Sequence, residues 1–106
     1  MPKFLFEASY TTDGIKGIQR AGGSSRRDAI AQLAEASGGQ LDSLYFAFGE
    51  HDVYAVLDLP DNETAAAFAL AVNASGATRV RTVVLLTPEE VDAAARRTVD
   101  YRAPGA

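Results

Sequence analysis

The chain has 106 residues and a formal net charge of −4. This length is typical of a single domain, and without a basic stretch the chain has no footprint for the phosphate backbone of nucleic acids. The absence of cysteine excludes disulfides, thiolate metal sites and a cysteine nucleophile.

The N-terminal sequence MPKFLFEASY has no charged segment followed by a long apolar core, so it does not match a signal peptide. No apolar run approaches the ~20 residues that cross a bilayer. We therefore expect a soluble, cytoplasmic protein with no membrane or nucleic-acid partner. With one histidine, no thiol and no calcium-loop spacing, neither a metal site nor a cofactor is expected.

The first predicted elements are a strand and two helical segments. Side chains alternate in character from Lys3 to Tyr10, which predicts a strand with one buried face. A residue of segment 11–13 can cap a short helical turn. Ser24 or Ser25 can cap a second helix, which the glycine pair 38–39 ends.

Two strands follow, LDSLYFAFG and DVYAVLDLP, and the short turn from Gly49 to Asp52 between them predicts a hairpin. Segment 60–62 begins another helix, which ends at 75–76. Residues 78–86 are rich in β-branched side chains and predict a final strand. Segment 87–90, Thr-Pro-Glu-Glu, is a capping box with proline at the first helical position, so it predicts a last short helix.

The order β-α-β-β-α-β, followed by a short helix, is the ferredoxin-like pattern of an α+β protein. Right-handed crossovers place the first and third strands at the centre of a four-stranded antiparallel sheet, with both main helices on one face. We expect residues 1–97 to form this one domain. Residues 98–106 are expected to form a C-terminal tail that is loose or packed on a neighbour.

The other face of the sheet has no helix to cover it, although it is half apolar, and a patch of that kind is usually covered. We therefore expect two copies to pair sheet to sheet as a homodimer, in the manner of a dimeric α+β barrel. Tyr45, Tyr54 and Arg81 are expected in this interface, where tyrosine and arginine are enriched. The alternatives are a monomer with a partly apolar face, and a barrel pocket that the tyrosines line.

The topology brings several chemically useful side chains to the end of the sheet at which the first strand finishes. A convergence of titratable groups is the usual pattern of a candidate site, so we expect a small-molecule ligand there. The expected ligand-binding residues are Tyr10, Asp13, His51, Asp52 and Arg79.

His51 is the only histidine and the candidate catalytic residue, as a general acid or base. Neighbouring residues of a strand point to opposite faces, so Asp52 is poorly placed to orient the ring. Asp13 or Glu50 is the better candidate for that role. The alternative is a histidine in solvent, beside an Asp52 that bonds backbone amides and holds the hairpin.

Two glycine-containing segments have mainly structural interpretations. Gly49 is expected at positive φ in a tight hairpin turn. The segment GGSSRR, residues 22–27, has the glycines and hydroxyls of an anion-binding helix start. It lacks the spacing of a phosphate-binding loop, and a helix cap with solvated arginines is the simpler interpretation.

Three segments, PKFLFEASYTTDGIKGI, SGGQL and YFAFGEHDVYAVLDLPDNETAAAF, together resemble the GYD domain family from about Pro2 to Val91. The most specific part is a Gly-x-Tyr-Asp hairpin followed by an aliphatic strand and Pro-Asp. The resemblance implies a ferredoxin-like domain that forms a dimer, in a family whose function is largely uncharacterised. The signature falls on Gly49 and Asp52, with His51 in the place of the tyrosine, so a role of the phenol does not transfer unaltered.

Three functions are compatible with these features. The first is a binding or sensing module that holds a small organic ligand near the hairpin and the cleft between sheet and helices. The second is a cofactor-independent enzyme of the isomerase, cyclase or monooxygenase type, with His51 as general base and Tyr10, Asp13 or Arg79 assisting. The third is a structural partner protein that assembles through the uncovered face of the sheet.

Overall fold

The computed structural model describes residues 1 to 106, which form four strands and four helices. No helix is both long and apolar enough to cross a bilayer. In chain order the elements are β1 (Lys3–Tyr10), α1 (Thr12–Ala21), α2 (Gly23–Ala36), β2 (Gln40–Phe46), β3 (Val53–Asp58), α3 (Asn62–Ala74), β4 (Thr78–Leu85) and α4 (Pro88–Ala95).

The strands form one antiparallel sheet in the order β2-β3-β1-β4. The first and third strands are therefore central, as the sequence predicts. The α+β class, the ferredoxin-like order of elements and the short C-terminal helix are confirmed. Because β1 lies between β3 and β4, its residues fix the position of both neighbours.

The core lies between one face of the sheet and helices α2 and α3. Alternate residues of β1 and β3 are buried on that face, as the period of two requires. Phe6 packs against Phe68 of α3 with ring centroids 5.1 Å apart. The buried core residues are Phe4, Phe6, Ala34, Ala55, Leu57, Leu59, Ala65 and Phe68.

The segment after β1 forms a full helix of ten residues rather than a short turn. Thr11 is its N-cap and accepts a hydrogen bond from the Gly14 amide. The predicted side-chain cap at Ser24 or Ser25 is wrong, because a single residue, Gly22, separates α1 from α2 and is itself the N-cap of α2. Gly22 joins the two helices at φ 85°, ψ 167°, a conformation that glycine adopts without a steric penalty.

The hairpin between β2 and β3 is longer than the sequence predicts, because β2 ends at Phe46 and the connection spans residues 47–52. The expected positive φ at Gly49 is wrong, since the left-handed residue of this loop is Phe48, at φ 54°. A six-residue loop does not need the glycine of a two-residue turn. The Phe48 ring stacks on Phe46 at a centroid distance of 5.9 Å.

The remaining two helices, α3 and α4, begin where the sequence predicts. Asp61 accepts a hydrogen bond from the Thr64 amide at 2.8 Å. Thr87 and Glu90 form the reciprocal capping box at the start of α4. Side-chain oxygens thus satisfy backbone donors that the first helical turn leaves unpaired.

We call the side of the sheet without helices the open face, and the end at which β1 finishes the top end. An apolar band crosses the middle of the open face, and polar rows lie above and below it. From top to bottom the paired rows are Ser9–Arg79, Tyr45–Tyr54–Glu7–Arg81, Ser43–Val56–Leu5–Val83 and Gln40–Asp58–Lys3–Leu85.

The bottom row contains a partly buried ion pair. Lys3 lies directly across from Asp58 and donates to it at 2.8 Å and to Asp42 at 2.7 Å. Gln40 also donates to Asp58, whose side chain is about nine-tenths buried. The hydrogen bonds from Lys3, and then from Gln40, lower the pKa of Asp58 below its ordinary value. The hydrogen bonds to Asp42 and Asp58 raise the pKa of Lys3.

Replacing Asp58 by Asn is expected to lower the free energy of unfolding at pH 7 by about 1–3 kcal/mol, because two donors lose a charged acceptor. A carboxylate with a lowered pKa stabilises the fold above its unfolded pKa of about 4, and the effect is lost as pH falls through the folded value. The difference between wild type and D58N should therefore shrink below about pH 4. Urea unfolding at several pH values, with Asp100→Asn in the exposed tail as control, checks this. A constant difference across that range would contradict it.

Candidate functional site

The imidazole of His51 lies on the open face between two side chains of β1. Its Nε2 is 3.5 Å from Oε2 of Glu7, and its Nδ1 is 3.3 Å from Oγ of Ser9. The ring also meets Tyr54 edge to face at 5.8 Å. Only 13% of the His51 side chain is exposed, so this histidine is held in a defined place and is not a solvated turn residue.

The strand register explains this placement. Glu7 and Ser9 are two residues apart in β1, so their side chains leave the sheet on the same face. Ala8 between them pairs with Val53, and the Ala8 carbonyl accepts from the Asp52 amide. The end of the hairpin loop therefore lies alongside Ser9, and His51 reaches both side chains.

A groove of about 570 Å³ opens beside the ring and runs over the edge formed by β4. Arg79 lies across from Ser9, and Arg81 lies across from Glu7. Neither arginine makes an ion pair within the chain. The lining residues are Glu7, Ser9, His51, Asn73, Arg79, Val80 and Arg81.

The charges of the groove favour an anion. Two arginines against one glutamate leave an excess of one positive charge when His51 is neutral. This local excess occurs on a chain whose net charge is −4. Unpaired guanidinium groups are suited to carboxylate or phosphate oxygens, because their donors form a planar fork.

Asp52 has a structural role at this end of the sheet. Its Oδ2 accepts a hydrogen bond from the Tyr10 amide at 2.8 Å, and its own amide donates to the Ala8 carbonyl. It thereby ties the hairpin to the end of β1. The ring of His51 has Glu7 and Ser9 as its neighbours, instead of the Asp13 or Glu50 expected from the sequence.

Tyr10 and Asp13 lie away from His51. They line a separate cleft of about 390 Å³ formed with α1, α2 and the start of β4. Tyr10 is an even number of residues from Phe6 and Ala8 in β1, so its side chain points to the same side of the sheet, the side of the helices. Of the five residues expected to meet at one site, His51 and Arg79 line the groove on the open face, whereas Tyr10 and Asp13 line the separate cleft.

The cleft between sheet and helices is almost filled. It leaves an apolar cavity of about 30 Å³ lined by residues such as Phe6, Ile30 and Val72. Sites for small organic ligands are usually ten times larger or more. The core between sheet and helices is therefore too tightly packed for such a ligand, whereas the groove beside His51 is large enough.

The three residues expected in a dimer interface, Tyr45, Tyr54 and Arg81, lie with Glu7 in one row across the open face. Tyr45 is largely exposed, whereas Tyr54 is half-buried beside His51. No cluster of three or more potential metal-ligating side chains exists in the structure.

Three residues of the groove were not expected from the sequence, namely Glu7, Ser9 and Asn73. The alternation of side chains along β1 places Glu7 and Ser9 on the face opposite Phe6, so the sequence was sufficient to assign them to the open face. Their distance from His51 depends on the β1–β3 register, which a single sequence does not specify. Asn73 reaches the groove because its side chain accepts from the Val80 amide at 2.8 Å.

The family model described as "GYD domain" matches residues 4–95, which is most of the chain. Neither the curated proteins nor the solved structures gave a significant match. The match spans β1 to α4 and includes both Glu7 and His51. The chain therefore belongs to the GYD domain family.

Proposed function

We propose that this protein is a homodimer, paired through the open faces of two chains, that binds a small organic anion in the groove beside His51. One observation carries the proposal. A histidine that is only 13% exposed shares a groove of about 570 Å³ with two arginines that have no partner in their own chain.

The chemistry of the groove supports an organic carboxylate as the ligand. Arg79 and Arg81 are two residues apart in β4, so both guanidinium groups are on the open face. A carboxylate can accept two parallel hydrogen bonds from one guanidinium. The volume lies within the range of small-molecule sites. The Tyr54 ring, which meets His51 edge to face, adds apolar surface for an organic group.

The pairing of two chains is supported by the composition of the open face. Its central row contains Leu5, Val56 and Val83, and Val83 is one of the exposed large apolar side chains. The neighbouring row contains Tyr45 and Arg81, of the types enriched in interfaces. Pairing would bury this band and enclose the groove from the side that a single chain leaves open.

A second candidate function is favoured by the contact between His51 and Glu7. If Nε2–H points to the carboxylate, the lone pair of Nδ1 faces Ser9 and the groove. An imidazole held in this way can act as a general base. It would remove a proton from a carbon beside a carbonyl group, while the arginines stabilise the negative charge of the enolate.

The ligand class can be tested by NMR, because His51 is the only histidine and its ring signals need no assignment by mutation. Pyruvate, succinate and benzoate are added separately to the protein. We expect at least one to shift the ring signals with saturation, and Arg79→Met to raise its Kd about 10-fold, since a charge-assisted contact is lost. Arg27→Met is the control, because Arg27 lies on α2 and pairs with Asp28. Unchanged ring signals with all three anions would contradict the proposed ligand class.

The second candidate is tested by the same method in D2O. We expect the protein to catalyse exchange of the C3 protons of pyruvate for deuterium, and His51→Gln to abolish the effect. Glu7→Gln is expected to lower the exchange rate by about 10²-fold, the usual scale of a general acid–base contribution. Binding of pyruvate without any exchange above the buffer rate would remove the enzyme hypothesis and leave the binding function in place.

A further inference from the structure

The cleft formed by α1, α2 and the start of β4, here called the α1–α2 cleft, has a volume of about 390 Å³. This volume is within the range of small-molecule sites. The polar side chains that line it are Tyr10, Asp13, Arg20, Ser25, Arg26 and Thr78. None of these side chains makes a hydrogen bond or an ion pair within the chain. The polar groups of the cleft are therefore free to bind a ligand.

The hydroxyl of Thr78 is the observation that points most directly to a ligand. Only 4% of Thr78 is exposed. It lies across from Tyr10, and the alternation along β4 places it on the helix side with Val80, which packs against the core. Every side-chain oxygen that is fully sealed from solvent has a hydrogen-bond partner, so the unpaired hydroxyl of Thr78 reaches the space of the cleft. Buried hydroxyls are normally hydrogen-bonded, and a ligand in the cleft supplies the partner.

The start of α2 offers backbone donors at one end of this cleft. Its N-cap is Gly22, and no side-chain hydrogen bond caps the helix. The amides of Gly23, Ser24 and Ser25 have no backbone acceptor. Helix amides point toward the N-terminus of their helix, which here is Gly22, a residue that lines the cleft. A Cβ at Gly22 would meet nothing within 4 Å, so the space beside this helix start is open, and such starts favour anions.

Two guanidinium groups reach the same end of the cleft. Arg20 is in the last turn of α1, and Arg26 is in the first turn of α2, so the junction at Gly22 brings them together. Arg26 is partly buried and also lines the apolar cavity in the core. Apolar surroundings strengthen the attraction between a cation and an anion. A phosphate group suits this end, because it accepts from guanidinium groups and from helix-start amides at the same time.

The opposite end of the cleft has a different chemistry. Asp13, Gly17 and Arg20 have the i, i+4, i+7 spacing of one helix face, and Asp13 lies about 10 Å from Arg20 along the axis of α1. Its carboxylate accepts from hydroxyl groups, and the phenol of Tyr10 both donates and accepts. A second anionic group would be repelled by Asp13. The ligand is therefore anionic at the α2 end only and carries hydroxyl groups at the other.

We infer that the α1–α2 cleft binds a small phosphorylated sugar or polyol. The phosphate lies at the start of α2 with Arg20 and Arg26, and the hydroxyl groups of the ligand lie toward Asp13. Thr78 bonds the ligand from the sheet. A Cβ at Gly17 would meet nothing within 4 Å, so the middle of the cleft has room for the carbon chain. This site is on the helix side of the sheet, and it depends neither on the His51 groove nor on the dimer proposed above.

The ligand class is tested by titrating ribose 5-phosphate, ribose and inorganic phosphate separately into the full chain. We expect the sugar phosphate to shift the amide NMR signals of residues 22–26 with saturation, and to bind about 10-fold more tightly than either fragment. Amide signals that stay unchanged at millimolar sugar phosphate overturn the inference. Equal affinity for inorganic phosphate overturns the assignment of a sugar or polyol.

The binding residues are tested with matched substitutions. Arg26→Met is expected to raise the Kd of the sugar phosphate about 10-fold, since a charge-assisted contact is lost. Arg27→Met is the control, because Arg27 pairs with Asp28 and does not line the cleft. Thr78→Val keeps the shape of the side chain and should raise the Kd about 5-fold through the lost hydrogen bond. Equal losses in R26M and R27M indicate unspecific attraction and overturn the site.

The location is tested by filling the cleft. Gly17→Leu places a side chain in the open space and is expected to abolish binding of the sugar phosphate. Leucine has a higher helix propensity than glycine, so the melting temperature should not fall and the loss is not caused by unfolding. Gln19→Leu is the control, because Gln19 is exposed on the same helix and does not line the cleft. Full affinity in G17L overturns the inference.

These outcomes are separate from those of the proposed function. Carboxylate binding is measured at the His51 ring, and sugar phosphate binding is measured at the amides of residues 22–26. Either result can be negative while the other is positive. If the sugar phosphate shifts the His51 ring signals and leaves those amides unchanged, it binds in the groove of the open face, and the inference is overturned.

Discussion

Strand β1 lies between β3 and β4, and its register determines the position of both neighbours. Its alternation sends Phe4, Phe6 and Ala8 into the core and Glu7 and Ser9 to the open face. The register that places these apolar side chains in the core therefore also determines which side chains lie beside His51. A shift of one residue would exchange the two faces, so the core and the groove cannot be altered independently.

The open face combines two properties that a single chain does not reconcile. Its apolar band favours contact with another protein surface, whereas the polar rows at its two ends carry charged side chains. At the bottom end the charges satisfy one another, because Lys3 is bonded to both Asp42 and Asp58. At the top end Arg79 and Arg81 are exposed and make no ion pair within the chain. Free guanidinium groups beside a mostly buried imidazole favour a ligand site at that end.

Much of the fold could be predicted from the sequence, because local signals and periodicity agree. The alternation in β1, the cap at Asp61 and the capping box at Thr87 each specify an element on their own. The predictions that were wrong concern connections between elements, where the backbone conformation of the loop is not specified by a periodic pattern. The α1–α2 junction turns at Gly22 without a side-chain cap, and the hairpin places Phe48, not Gly49, at positive φ.

The site was less predictable, since it depends on which residues of distant strands face each other. Tyr10 and Arg79 are both near the top end, yet the alternation of side chains along β1 and β4 places them on opposite faces of the sheet. Glu7 was not expected, because its distance from His51 follows from tertiary register alone. Light scattering of the full chain at micromolar concentration tests whether two chains pair through the open face. A mass of twice 11.2 kDa is the expected result, and a mass of 11.2 kDa would contradict the claim.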